Sequence, residues 1–560
     1  MATQGWVADR LGDWLKKNPQ KGAKDAKEKL EEQYEIKLKY SKVWAGMKLA
    51  LENIHGTYEE SFQLLFNWAA EMERVSPGSL IEIEVQKVSK KMCFKRIFVA
   101  LQPCVHGFLE GCRPYIGVDS TMLTGKYTGQ LASATSVDGH NWLFYVAFAI
   151  FDSETEDNWT WFMQLLHRAI GNRPGLVIST DACKGLESAV DAAFPEAEHR
   201  ECMRHLYGNF MKKYRGPIFT QHLYPAARFY TEDGFRWHMQ QIVETSPDAI
   251  GWLEKHHGRI WYRCGFSEES KCDYLTNNVS ESFNKQIKPM KALLLHELVD
   301  GLRELIMEKM ALRRNIGRLM EDGILPNVIK DLNKASNSLR VVKIARGDDD
   351  FAEVTLVHAD NITRRHTVDL QNHRCSCRQW QITGKPCNHA LAWICANRGK
   401  IEDYVHDYYS VQRFKATYVA MVPPMTDRSQ WPIVDLGYKV FPPKQKRGAG
   451  KPRVQRIRGV LEPGRRTVKC KRCGDFGHFE KTCKLPEASG VESNGEHVGP
   501  SQSTPRKRKK KASTGEGENQ MTNKQKRTPK KKRKTPKKKK AKPSAPTASV
   551  VKKLSEWLKT

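Results

Sequence analysis

Cys375, Cys377, Cys387 and His389 form a C-x-C-x9-C-x-H array within fifteen residues. A structural zinc site needs four sulfur or imidazole donors, each about 2.0–2.3 Å from one tetrahedral ion. The first two cysteines suit the end of a hairpin. The last cysteine and the histidine stand where a helix would begin, because the chain continues Ala-Leu-Ala-Trp-Ile. Four unrelated buried side chains are not expected at this spacing, so the array predicts a zinc module.

A second array of possible zinc ligands follows closer to the C-terminus, with the spacing C-x2-C-x4-H-x4-C. Its four ligands are Cys470, Cys473, His478 and Cys483. The spacing matches the CCHC zinc knuckle, and Phe476 and Phe479 are candidates for stacking on the bases of single-stranded nucleic acid. A knuckle that is purely structural or that binds protein is the alternative.

Two aspartates each follow a short apolar run that reads as a buried strand. Asp119 ends residues 115–119, and Asp181 ends residues 176–181. If the two strands are neighbours, both carboxylates face one point. Carboxylate oxygens and substrate phosphate are the hard ligands that Mg²⁺ prefers, and two such ions can clamp a phosphodiester. Taken singly, each aspartate could equally cap a turn.

The segments around these aspartates alternate in a way that predicts an α/β domain. Strands are expected at residues 115–119, 129–137, 142–152, 176–181 and 198–202, and helices at residues 159–170 and 184–194. Three strands, a helix and a fourth strand, with acids at strand ends, indicate an RNase H-like catalytic core.

A third carboxylate for this site is expected from a helix beyond the last strand. Glu281 lies in the first turn of a helix that we expect from about Val279, after an Asn/Ser-rich turn. Glu187 and Glu201 are rivals for the same role, but the position along the chain favours Glu281.

The first zinc array resembles the SWIM zinc finger, and the region before it resembles the Mutator-like element (MULE) transposases of plants. The second resemblance is carried by an ordered set of motifs between about residues 8 and 440. These motifs are Asp119, Tyr127-Thr-Gly-Gln-Leu, Trp159-Thr-Trp-Phe, Asp181, Lys184-Gly-Leu, Cys202-Met-Arg-His205 and Asn277-Asn-Val-Ser-Glu281-Ser-Phe-Asn.

The resemblance implies a DDE site that cuts and joins DNA, with Asp119, Asp181 and Glu281 holding magnesium or manganese. It also implies a mostly helical insertion, here at about residues 206–275, between the second and third acids. Cys202 and His205 belong to a C-x-x-H feature of the family near the site. Two ligands alone do not complete a zinc site, so we expect this pair to pack and hydrogen-bond.

The net charge of +30 over 560 residues is unevenly placed. Residues 501–543 contain 19 Lys or Arg and 2 Glu, with almost no apolar side chains, which predicts a disordered basic tail. Within this tail, Pro529-Lys-Lys-Lys-Arg-Lys534 is typical of a nuclear import signal, and its charge would bind phosphates. No signal peptide and no apolar run of about 18 residues is present, so we expect no membrane span. The sequence thus predicts a nuclear protein that meets the import machinery and DNA.

The predicted domain organisation has seven parts. These are helices at 1–55, a helix and strands at 56–113, the transposase core at 114–310, the SWIM region at 311–400, a linker at 401–465, the knuckle at 466–486 and the basic tail at 487–560. The helices at 1–55 fit either a helix-turn-helix unit for DNA or a small bundle that packs on its neighbour.

Two departures from the family pattern leave two functions open. The first cysteine is Cys93, so no Cys/His recognition domain precedes the helices, and Ser120 stands where a glycine commonly follows the first acid. Either an exon is missing from the reading frame, or end recognition has been lost. The chain is therefore expected to be an active DDE transposase or a domesticated, non-catalytic nuclear DNA-binding regulator, as the far-red response regulators of plants are. A homo-oligomer is compatible with both.

Overall fold

The computed structural model describes residues 2–18, 21–181 and 183–443 as a mixed α/β protein. The predicted knuckle, with Phe476 and Phe479, and the predicted basic tail lie outside the described residues. In the part of the chain that is described, no helix is both long and apolar enough to cross a bilayer.

The first three helices form a unit with its own small core. They are α1 (Gln4–Lys17), α2 (Ala23–Tyr34) and α3 (Tyr40–His55). Their buried faces share Val7, Leu11, Leu30 and Val43, while Trp44 on α3 is 54% exposed. This arrangement is compatible with both alternatives for residues 1–55, and the helix-turn-helix assignment stays a prediction.

An eight-stranded sheet forms the centre of the fold. Its elements and the helices interspersed with them are α4 (Glu60–Val75), β1 (Leu80–Val88), β2 (Lys91–Ala100), α5 (Gln102–Glu110), β3 (Tyr115–Met122), β4 (Gln130–Val137), β5 (Leu143–Phe151), α6 (Glu156–Ile170), β6 (Val177–Thr180), α7 (Lys184–Ala193) and β7 (Glu198–Glu201). Seven strands follow the order β1-β2-β5-β4-β3-β6-β7, and the eighth pairs with β2. Pairs along the order are antiparallel except β3–β6 and β6–β7, which are parallel.

Local sequence explains why the central elements form. Every residue of β5 is buried, as expected for an apolar strand rich in aromatic and β-branched residues that is covered on both faces. The next helix, α6, begins where the Thr155 hydroxyl accepts a hydrogen bond from the Asn158 N–H, with Glu156 and Asp157 in its first turn. It ends at Gly171, whose φ of +63° a residue with a side chain adopts less readily.

A helical subdomain with a second hydrophobic core follows β7. It contains α8 (Met203–Lys213), α9 (Pro217–Arg228), α10 (Glu232–Thr245) and α11 (Pro247–His256). Leu206, Phe210, Phe235, Met239 and Trp261 are buried in this core. The chain then returns to the sheet at α12 (Asn278–Gln286), so the helices occupy the place predicted for the insertion.

The remaining elements build the predicted zinc region and then return to the sheet. They are α13 (Leu295–Arg318), α14 (Pro326–Asn337), β8 (Val341–Arg346), β9 (Phe351–Val357), β10 (Thr363–Asp369), β11 (Arg374–Cys375), α15 (Gln379–Thr383), α16 (Asn388–Ala396), α17 (Val411–Tyr418) and β12 (Val440–Phe441). Strands β8 to β11 form a separate sheet in the order β11-β10-β9-β8, and β12 pairs in parallel with β2.

Residues 401–443 are not the linker that the sequence analysis expected. Val411, Phe414 and Tyr418 are buried at helical spacing on α17, and Val440 is buried where β12 joins β2. The Arg428 guanidinium donates to the carbonyl oxygens of Ile54 and His55, both at 2.6 Å. Several apolar residues of this segment therefore pack on the core, although Val419, Met421 and Ile433 are exposed.

Two glycines allow α17 to lie directly on α5. A Cβ at Gly107 would overlap the Thr417 carbonyl oxygen and come within 2.9 Å of the Phe144 ring. A Cβ at Gly111, one turn later, would overlap the Thr417 hydroxyl and the Arg413 carbonyl oxygen and lie 2.5 Å from the Thr417 nitrogen. Backbone therefore packs on backbone at this contact, and any side chain would force the two helices apart.

We expect Gly111→Ala to destabilise the folded chain by about 1–3 kcal/mol, as overpacked sites do. Calorimetry should show a lower unfolding temperature, and hydrogen exchange should rise across α17. The matched control is Gly251→Ala in α11, where a Cβ would meet nothing within 4 Å. Equal unfolding temperatures for the Gly111 variant and the wild type would contradict the close contact.

Candidate functional site

The register of two parallel strands brings Asp119 and Asp181 side by side. Strands β3 and β6 pair through Gly117 and Ser179. Asp119 lies two residues after Gly117, and Asp181 lies two residues after Ser179. Asp181 directly follows β6, as predicted. Strand β3 continues past Asp119 to Met122, because β4 goes on pairing with it.

Two hydrogen bonds fix the Asp119 carboxylate. The Ser120 backbone N–H donates to Oδ1 at 2.8 Å, and the Asn284 side-chain amide donates to Oδ2 at 3.0 Å. Asn284 lies on α12, so this helix is anchored directly to the first acid. The buried Asn277 amide also donates to the Val118 carbonyl oxygen at 2.9 Å, which ties the start of α12 to the same strand.

The acids at this sheet edge carry raised pKa values. The pKa of Asp119 is raised to about 7, mainly by burial and next by the nearby Asp181 carboxylate. Burial also raises the pKa of Asp181, and Glu154 adds to the increase. Crowded, desolvated carboxylates favour a cation, and their hard oxygen donors fit Mg²⁺ or Mn²⁺.

The third predicted acid, Glu281, lies on α12 one turn before Asn284 and is held in an ion pair. The Arg204 guanidinium of α8 donates to both carboxylate oxygens, at 2.7 and 2.5 Å. Because residues three apart share a helix face, Glu281 lies on the side of α12 that carries the bond to Asp119. The three predicted acids nevertheless do not bring their ligand atoms within 4.8 Å of one another.

Sequence reasoning missed Glu154, which lies close to both aspartates. The Ser120 hydroxyl donates to its Oε1 at 2.6 Å, and its charge raises the pKa of both Asp119 and Asp181. The directions of the strands indicate that Glu154 lies at the same sheet edge. Strand β5 runs in the same direction as β3, because both are antiparallel to β4, and Glu154 comes three residues after β5 ends.

The rival acids Glu187 and Glu201 lie toward the helical subdomain. Glu201 ends β7, is buried, and contacts His257 Nδ1 at 2.5 Å, while its Oε2 has no hydrogen-bond partner. Burial raises the pKa of Glu187, and the Glu201 charge raises it further. The Asp181 charge contributes to the raised pKa of Glu201, so Glu201 is also within electrostatic reach of the site.

The Cys202 and His205 pair connects the site to α12. A hydrogen bond with the Cys202 side chain is the main cause that raises the pKa of His205 to about 9, and the Asp181 and Asp119 charges add to it. The Cys202 sulfur also accepts a hydrogen bond from the Asn277 N–H at 3.3 Å. The raised pKa favours the protonated form of His205, which lies near the two aspartates.

The four ligands predicted for the first zinc module come together. Cys375, Cys377, Cys387 and His389 are all buried, and their ligand atoms lie within 4.8 Å of one another. In the described ranges, this is the one group of three or more Cys, His, Asp or Glu side chains gathered so closely. The Cys387 sulfur lies 3.9 Å from His389 Nδ1, so this nitrogen faces the cluster.

Hydrogen bonds within and around the cluster act on its cysteines. Hydrogen bonds from the Cys375 and Cys387 thiols lower the pKa of Cys377 well below its usual range. The Gln381 side chain holds Cys375 by accepting from its N–H at 3.2 Å and donating to its carbonyl oxygen at 3.0 Å. Three sulfurs and one imidazole are the donors of a closed structural zinc site.

We expect Cys387→Ser to lower the bound zinc by about one ion per chain, because a structural site needs all four ligands. The measurement is the metal content of the purified full chain by mass spectrometry. Cys395→Ser is the control, since this exposed thiol lies on the same helix outside the cluster. Unchanged zinc in the Cys387 variant would rule out a metal at the cluster.

We expect Asp119→Asn to raise the unfolding temperature of the metal-free chain at pH 8. The pKa of Asp119 rises from an ordinary 3.8 to about 7 on folding, so its charge destabilises the folded state increasingly between these values and fully above them. Asn284 can turn its amide to suit the variant, because its buried Oδ1 has no partner. The increase in unfolding temperature should be smaller at pH 5.

We expect Mn²⁺ to raise the unfolding temperature of the wild type at pH 8. The Asp119→Asn variant should lose this stabilisation. Thermal melts with and without Mn²⁺ measure both effects, and Glu196→Gln, an exposed acid before β7, is the control. Equal responses of wild type and Asp119→Asn would show that Mn²⁺ binds elsewhere.

Comparison with known proteins agrees with these two sites. The MULE transposase domain matches residues 115–209, and the SWIM zinc finger matches residues 366–392. The chain is 26% identical over 160 residues to Protein FAR1-RELATED SEQUENCE 6 of Arabidopsis thaliana, covering 28% of this chain and 22% of the relative. It is 24% identical over 262 residues to Protein FAR-RED IMPAIRED RESPONSE 1 of the same plant, covering 44% and 29%.

These matches span less than a third of the length of either curated relative. The transposase match includes Asp119, Asp181 and the Cys202–His205 pair, and the finger match includes all four residues of the zinc cluster. Residues 115–209 are therefore similar to a MULE transposase domain and residues 366–392 to a SWIM zinc finger, and parts of the chain are similar to two FAR1-named proteins of Arabidopsis thaliana.

Proposed function

We propose that this chain is a DDE-type transposase, or a protein derived from one, whose α/β core cuts and joins DNA. The observation that carries the proposal is the placement of Asp119 and Asp181 at equivalent positions of two paired parallel strands. Asn284 ties the helix that bears Glu281 to the same carboxylate. An acid from each of these three elements can then contribute to one site.

The strand order supports an RNase H-like core. Strands β5, β4 and β3 are antiparallel neighbours, and β6 and β7 extend the sheet in parallel from β3. Helix α6 connects the antiparallel part to the parallel part, as the sequence pattern indicated. In this arrangement the ends of β3, β5 and β6 meet at one edge, which is where the acids lie.

Asp119, Asp181 and Glu281 would hold magnesium or manganese, which supplies a Lewis acid for phosphodiester cleavage and strand transfer. The protein groups prepare this edge for an anionic substrate. The bonds from Ser120 and Asn284 orient the first carboxylate, and the His205 imidazolium offsets part of the negative charge. Glu281 must leave Arg204 to join the other two acids, so binding of DNA or metal has to reorganise that ion pair.

A second candidate is a non-catalytic nuclear DNA-binding regulator derived from a transposase. The name of one relative refers to an impaired far-red response. The Arg204–Glu281 ion pair also favours this alternative, because it satisfies the third acid without a metal. The basic segment at residues 501–543 would serve both functions, since it would recruit the import machinery and bind nucleic acid.

The two candidates differ in whether the purified full chain nicks DNA. For an active enzyme, we expect Mg²⁺- or Mn²⁺-dependent nicking of supercoiled plasmid. Asp119→Asn and Asp181→Asn should each lower the rate by about a hundred- to a thousandfold, because each removes a carboxylate that would hold the metal ion. Glu196→Gln should keep the wild-type rate. Binding of DNA without any nicking by the wild type would select the regulator.

Paired variants identify the third acid in the same assay. Glu281→Gln should abolish nicking if α12 supplies this carboxylate, whereas Glu154→Gln should reduce it only partly. The reverse order would transfer the role to the acid that follows β5.

A further inference from the structure

A groove of about 800 Å³ lies between the helical subdomain and the zinc finger. One wall runs from Arg228 at the end of α9 to Trp237 on α10. The other wall is formed by Arg364, Arg365 and His366 of β10 and by the zinc-ligand segment. We call this feature the α10–β10 groove. It is separate from the edge that carries Asp119 and Asp181, because none of the acids discussed there lines it.

Trp237 is an exposed aromatic side chain on a helix whose apolar residues are otherwise used for packing. Phe235, Met239 and Ile242 are buried in the subdomain core, whereas the Trp237 side chain is 59% exposed. His238 packs edge-on against the indole, with ring centroids 4.7 Å apart. An exposed indole in the wall of a groove offers a flat surface for stacking. Because the Trp237 side chain is exposed, packing of the subdomain core does not require it.

The lining of the groove contains more cations than acids. Arg228, Arg364 and Arg365 are the cations and Asp233 is the one acid, while Arg364 is held by Asp360 outside the groove. Arg365 pairs with Glu353 at 3.1 Å, but its side chain is 67% exposed, and such exposed ion pairs are weak and screened by salt. The guanidinium of Arg228 lies 5.0 Å from the Tyr224 ring centroid, and Arg228 is also exposed. Arginines at both walls can therefore turn toward a phosphate backbone.

Part of one wall is formed by the predicted zinc ligands. Cys377 and His389 line the groove, and His389 Nε2, on the ring side opposite Nδ1, contacts His358 Nε2 at 3.3 Å. Strand β11, which carries Cys375, pairs with β10, so the ligand cluster lies next to the arginines of this wall.

We propose that the α10–β10 groove binds single-stranded nucleic acid, with a base stacked on Trp237 and phosphates held by Arg365 and Arg228. A duplex does not suit this site, since its bases are covered by their neighbours and cannot reach an indole in a groove wall. An acidic peptide would use the arginines but would leave the indole without a flat partner. The pairing of an aromatic surface with arginines is the general pattern of single-strand binding.

The test is photocrosslinking of the full chain to a single-stranded oligonucleotide of about twelve nucleotides that contains 5-iododeoxyuridine. Crosslinked peptides are identified by mass spectrometry, so the groove is distinguished from the predicted knuckle and basic tail. We expect a crosslink on Trp237 that unlabelled single strand removes and a duplex of equal length does not. Asp119→Asn should keep this crosslink, so its result is independent of the nicking assay.

Fluorescence anisotropy with the same oligonucleotide, unmodified and end-labelled, gives the contribution of each group. Trp237→Ala should weaken binding about fivefold or more, and Trp237→Phe should restore most of it, because a phenyl ring still stacks. Arg365→Ala should reduce the salt dependence of binding by about one phosphate contact. The matched control is Arg346→Ala on β8, a 58% exposed arginine of the same sheet that does not line the groove.

Crosslinks confined to residues 444–560, or equal competition by duplex and single strand, would overturn the proposal. Equal affinities for the wild type and Trp237→Ala would also overturn it.

Discussion

The parallel pairing of β3 and β6 is the constraint on which the candidate site depends. It places two carboxylates at the same height on adjacent strands, where burial and mutual repulsion make both charges costly. Neighbouring groups offset part of the free-energy cost of these charges. Two N–H groups donate to Asp119, a protonated His205 stands nearby, and Arg204 neutralises the glutamate on the adjoining helix. The repulsion between these like charges and the proposed binding of a divalent cation have the same structural origin.

The sequence predicted those features that depend on local spacing. All four ligands of the zinc cluster follow from an array of fifteen residues, and Asp119 and Asp181 follow from apolar runs that end in an acid. Glu154, Asn284 and Arg204 were missed because their roles depend on contacts between segments far apart in the chain. The packing of residues 401–443 was missed for a related reason. Its elements are short, since α17 has eight residues and β12 has two, so they carry little periodicity, and the two glycines that receive α17 lie about 300 residues earlier.

The zinc finger and the helical subdomain share a boundary with a chemistry of its own. Arg378, just after the second ligand, donates to the Cys264 carbonyl oxygen at 2.6 Å, and Lys271 donates to the Gln381 carbonyl oxygen at 2.9 Å. Ile382 is part of the core of the helical subdomain. The finger is therefore built into the protein body, unlike a module on a flexible tether.

The return of the chain to its second strand also governs how the protein folds. Val440 pairs with Met92, so one strand contact closes a loop of about 350 residues. Strand β2 pairs with β1 along its length and with β5 at residues 97–99, so β12 supplies the partner of Met92 and Cys93 alone. A premature stop within the finger would thus remove more than a metal site, because the start of β2 would also lose its β12 partner.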